Sequence, residues 1–88
     1  MDTSALDHVA TLIEQEPRAA RSLVLYALMS TLAIDNSGSL FKLTKLRELD
    51  AETRALAYGL MEVMAQGATG SPAWQAAMSR IEQAIRRA

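Results

Sequence analysis

The chain has no cysteine, only two prolines and four glycines, and a single histidine. Without cysteine there is no disulfide framework, no thiolate nucleophile and no cysteine-ligated zinc. A lone His8 also leaves any metal site short of the clustered ligands such sites use. Aromatic residues are nearly as scarce, being Tyr26, Phe41, Tyr58 and Trp74. Packed sheets draw on aromatic and β-branched side chains, whereas a chain dominated by alanine and leucine points to helices. Neither sign of charge prevails. Nine Lys and Arg against ten Asp and Glu leave a net charge of −1 and a pI near 5.7, so no strong field draws nucleic acid or an anionic membrane. The uncharged run Ser22 to Ile34 falls short of the roughly 20 apolar residues that span a bilayer. No basic stretch leading into an apolar run opens the chain, so no secretory signal is expected, and the expected location is cytoplasmic.

Half of the 88 residues are apolar, enough for one core in a single domain that buries roughly 60–65% of its unfolded surface. The expected fold is all-α, a compact bundle of four to five short helices around a central apolar helix near residues 17–35. On a helical wheel Leu23, Val24, Ala27, Thr31 and Ile34 fall on one side of that helix, and Leu25, Leu28, Met29 and Leu32 on another. Together they make an apolar arc wider than docking on one surface requires. Only Ser22, Tyr26, Ser30 and Ala33 form a weakly polar strip opposite.

Around this helix the punctuation is clear. Asp2, Thr3 and Ser4 are all good caps for a first helix reaching Gln15, with Asp7 three residues after Ser4. Its apolar face is Leu6, Val9, Ala10 and Ile13. Pro17 disfavours helix at Glu16 and suits the first position of a new one, so two helices are expected there, the alternative being one helix kinked at the proline. Asp35 to Ser39 closes the central helix. Leucines at 40, 43, 46 and 49 recur every three residues, the period of a short 3₁₀ helix or helical turn.

Asp50 reads as the cap of a helix ending at Gly67, with Leu56, Ala57, Leu60, Met61, Val63 and Met64 on its apolar face. Gly59 within it costs about 1 kcal/mol relative to alanine, so either a neighbouring backbone comes close there or the position is unselected. Ser71 and Pro72 start the last helix. Its stripe is Trp74, Ala77, Met78, Ile81, Ala84 and Ile85.

Few residues could carry chemistry. His8, on the polar side of the first helix, has no positioned partner in the pattern and reads as a surface side chain. Glu14 and Glu16 lie close together beside Arg18, and a solvated carboxylate pair of this kind lacks the burial that would tune it for acid–base work. The backbone amides after Gly67 and Gly70 could meet a small anion, as any capped helix start can. Met29, Met61, Met64 and Met78 read as core filling, although adaptable binding grooves also use methionine. Lys42, Lys45 and Arg47 form the one basic cluster, but the helix after it opens on Ala51, Glu52 and Thr53, which suits phosphates poorly.

Gly38-Ser39-Leu40, near mid-chain in a small helical chain of acidic balance, resembles the serine site of acyl or peptidyl carrier domains. That resemblance implies Ser39 as an attachment site. It covers three residues, and it departs from those domains in having an apolar helix run up to the serine and Lys42, Lys45 and Arg47 follow it.

The function expected from these observations is a small non-catalytic helical protein–protein interaction module that self-associates as a homodimer. No cofactor or metal is expected, and any other protein partner is unspecified. The candidate interaction surface is Leu25, Leu28, Met29, Leu32, Leu40 and Phe41, because the arc of the central helix exceeds what one small monomer readily covers. The alternatives are a regulatory nucleic-acid binder using Lys42, Lys45 and Arg47, and a carrier-type domain using Ser39.

Overall fold

Local sequence signals and helix ends agree closely over the second half of the chain. In the computed structural model, which describes residues 3–33 and 43–88, Asp50 accepts the Thr53 amide and starts helix α3, Ala51–Ala65. Gly67, at φ +76°, ends it. The Gly67 amide donates to the Met64 carbonyl and the Ala68 amide to the Val63 carbonyl, a Schellman closure with Ala68 buried behind it. Ser71 then accepts the Trp74 amide, and Pro72 opens helix α4, Pro72–Arg87.

The first half departs from expectation in detail. Helix α1, Ser4–Gln15, starts after Thr3, whose side chain makes no capping hydrogen bond. Pro17 separates two helices rather than kinking one, yet it is not the first residue of the second. Pro17 and Arg18 form a turn, and α2 runs Ala20–Leu32 behind an extended Ala19. The cause is local. The Glu16 carbonyl accepts both the Ala19 amide and the Ser22 hydroxyl (2.7 Å), so the chain must close a turn before helix can begin. Leu43–Glu48 is a 3₁₀ helix, as its leucine period implies. Leu43 is 71% exposed, Leu46 partly buried and Leu49 buried.

These pieces make a compact all-helical globule with five helices and no strand among the described residues. Its radius of gyration, 11.9 Å, is close to the ~12 Å of a well-packed chain of this length. The hub is α1, which packs against α2, α3 and most extensively α4. Helix α2, expected at the centre, packs on α1 and α3 less extensively than α1 packs on its neighbours, and carries one charge, Arg21, in its first turn. The core joins Leu6, Val9 and Ile13 of α1 to Leu25 and Met29 of α2, Leu60 and Val63 of α3, and Trp74 and Ile81 of α4. Trp74 is 1% exposed, as its place in the stripe implies, and Tyr58 on the opposite face of α3 is 53% exposed.

Two face assignments change. Met64 is 40% exposed, and the buried face of α3 takes Thr53 instead. On α2 the first half of the strip expected to face water turns inward, while Ser30 is half-buried and Ala33 exposed. Ser22 is fully buried, and the partly buried Tyr26 donates to Glu82 of α4 at 3.2 Å. Both hydroxyls have partners, so burying them leaves nothing unsatisfied.

Candidate functional site

Three surface features could carry function: the outward face of α2, the groove between α1 and α3, and two arginine-centred clusters. On α2, turning Ser22 and Tyr26 inward turns other residues out. Ala20 and Ala27 are exposed, Leu23 is 48% exposed, and Val24 lies half-buried beside them. No charged residue occurs between Ser22 and Ala33. The candidate surface named from the sequence is largely elsewhere. Leu25, Leu28 and Met29 are buried in the chain's own core, and Leu32 is partly buried against it. Leu40 and Phe41 lie outside the described residues. The wheel placed Leu23 and Ala27 on the arc, but it could not tell which half of the arc the chain would cover.

The groove arises where α1 and α3 cross antiparallel. They approach closely at Gly59, where a Cβ would stand 2.8 Å from the Ala5 Cβ. This contact explains the mid-helix glycine. Beyond it the helices part, leaving a depression of about 410 Å³ floored by Leu12 and Leu56, with His8, Gln15 and Glu52 on its edges. A smaller one of about 190 Å³ continues from His8 and Leu56 to Glu62. His8 is exposed at the middle, consistent with a surface side chain.

The arginine clusters were not foreseen as clusters. Glu14 and Glu16, two residues apart in sequence, are taken by different arginines, and neither is paired with Arg18 by an ion pair. Arg80 of α4 holds Glu14 through Nε (3.1 Å) and Nη2 (2.7 Å), Asp7 through Nη1 (2.9 Å) and the Thr11 hydroxyl through Nη2 (3.2 Å). Arg21 holds Glu16 through two nitrogens and Thr53 Oγ1 at 3.2 Å, with Asp50 3.8 Å away. Hydrogen bonds from Arg80 and from Arg21 hold the carboxyls of Glu14 and Glu16 below their ordinary range. Asp50 is lowered chiefly by the Thr53 side chain. A third arginine, Arg54, donates to the Leu46 and Leu49 carbonyls and ties the 3₁₀ helix to α3. Neighbouring charges of opposite sign at spacings other than three or four were the available signal, and that signal does not say which pairs meet.

Compared with family models, curated proteins and solved structures, the chain matches none.

Of the basic cluster, Lys45 pairs with Glu48 at 3.1 Å, Arg47 is exposed and Lys42 lies outside the described residues. Ser39 lies outside them too. Among the described residues no three His, Asp or Glu side chains gather as metal ligands would. No helix there is long and apolar enough to cross a membrane.

Proposed function

We propose that this protein is a non-catalytic helical interaction module that pairs with a second copy of itself through the outer face of α2. The observation that carries the reading is Leu23, 48% exposed on a charge-free helix face between two exposed alanines. Ala20, Leu23 and Ala27 follow the three-then-four spacing that lines one side of a helix. Small residues on either side of a leucine let a second helix approach closely and close over it. A self-complementary patch of this kind suits a twofold dimer.

The carboxylate pair singled out from the sequence does not have the environment of a general acid. Glu14 and Glu16 are each held ionised by an arginine, the reverse of the raised carboxyl a general acid requires at neutral pH. Light scattering at micromolar concentration is expected to give about twice the 9.6 kDa chain mass. Leu23→Glu is expected to return it to one chain mass with its helical circular dichroism intact. A wild-type mass that stays at one chain up to millimolar concentration overturns the proposal.

A further inference from the structure

A second surface, lined by different residues from the outer face of α2, differs from it in charge. The α1–α3 groove combines an apolar floor, Leu12 and Leu56, with an acidic edge. Glu52 stands at one end and Glu62 at the other, ten residues apart along α3, which is roughly 15 Å on a helix. Neither belongs to an ion pair among the described residues, and Glu62 meets the neutral side chain of Gln66 at 3.2 Å. The cations nearby are already engaged: Arg80 by Asp7 and Glu14, and Arg21 by Glu16. Asp7, the other acid on the groove's margin, shares Arg80 with Glu14. Two carboxylates without an ion pair therefore flank an apolar trough, Glu52 within reach of the Arg21 charge that Glu16 and Asp50 already share.

We infer that this groove binds a basic amphipathic peptide segment of a partner protein, with apolar side chains on Leu12 and Leu56 and cations at Glu52 and Glu62. Charge complementarity selects this occupant. An anionic segment would meet like charge at both ends, and a wholly apolar one would leave both carboxylates partly desolvated without a counter-ion. The spacing is specific as well. Cations roughly 15 Å apart lie ten residues apart in a helical peptide and about four to five in an extended one. The close packing of Gly59 on Ala5 fixes the trough, so the site is formed before binding.

The test uses the full chain and a synthetic peptide with two leucines between lysines ten residues apart, against the same peptide carrying glutamates. Titration by isothermal calorimetry in low salt is expected to show binding of the lysine peptide only, weakening as salt is added. Glu52→Gln with Glu62→Gln should lower its affinity about tenfold or more while leaving thermal unfolding nearly unchanged. Leu23→Glu should leave the affinity unaltered, which separates this site from self-association through α2. The inference is overturned if the lysine peptide fails to bind, if both peptides bind equally, or if the double variant binds as the wild type does.

Discussion

Gly59 and Ala5 show how one absent methyl group can set the distance between two helices. Alanine is a better helix former than glycine by about 1 kcal/mol, so Gly59→Ala would be stabilising on an open face. Here the new Cβ would lie 2.8 Å from another Cβ, and neither atom can rotate away. Overpacking of this sort costs about 1–3 kcal/mol. Gly59→Ala is therefore expected to lower the denaturation midpoint, and Ala5→Gly should cost less in its presence than in the wild type. A double-mutant cycle in urea checks this; simple additivity would mean that the helices can part freely. The two aromatics make the complementary case. Trp74→Ala should destabilise by about 3–5 kcal/mol because the ring is 1% exposed, and Tyr58→Ala by less than about 1 kcal/mol because its ring is 53% exposed. Guanidinium denaturation of both variants ranks them, and a larger loss for Tyr58→Ala would contradict the packing of α3.

Helices α1 and α4 are held together by a core seam and by the Arg80 cluster outside it. The planar guanidinium satisfies Glu14 with two parallel donors and still reaches Asp7 and Thr11, a geometry lysine does not reproduce. Glu14 is more acidic in the folded protein than its ordinary value of 4.5. Its contribution to stability is thus fully present above that pH and is lost as pH falls through the lowered folded value. Glu16 beside Arg21 behaves the same way. The expected result is a melting temperature that declines on acidification below about pH 4.5, with a shallower decline in Arg80→Gln, followed by circular dichroism. An identical acid profile for that variant would show that the cluster contributes nothing. Because the cluster is largely solvent-accessible, added salt should also shrink the difference between variant and wild type.

At the scale of the whole molecule, the described fold covers its core on every helix but leaves α2 with an uncharged outer face. If that face joins two copies, folding and association are linked by mass action. The melting temperature should then rise with protein concentration, and Leu23→Glu should remove the dependence. A concentration dependence that persists in Leu23→Glu would place the contact on some other surface.

Much of this architecture was legible along the chain because helix caps and periodicity act over only a few residues. Asp50, Gly67, Ser71 and Pro72 set their helix ends through bonds to near neighbours, and the threefold leucine spacing gave the 3₁₀ helix. The apolar faces of α1 and α4 follow from 3.6-residue periodicity alone. The facing of α2 did not follow. With no charge after Arg21 to mark an outside, its orientation depended on whether Ser22 and Tyr26 could find partners in the interior, and those partners are the Glu16 carbonyl and Glu82, the latter on another helix. The same holds for α1 as hub, for Arg80 reaching across to Asp7 and Glu14, and for the α1–α3 groove. Each requires residues far apart in sequence to meet, and only the packed tertiary structure brings them together.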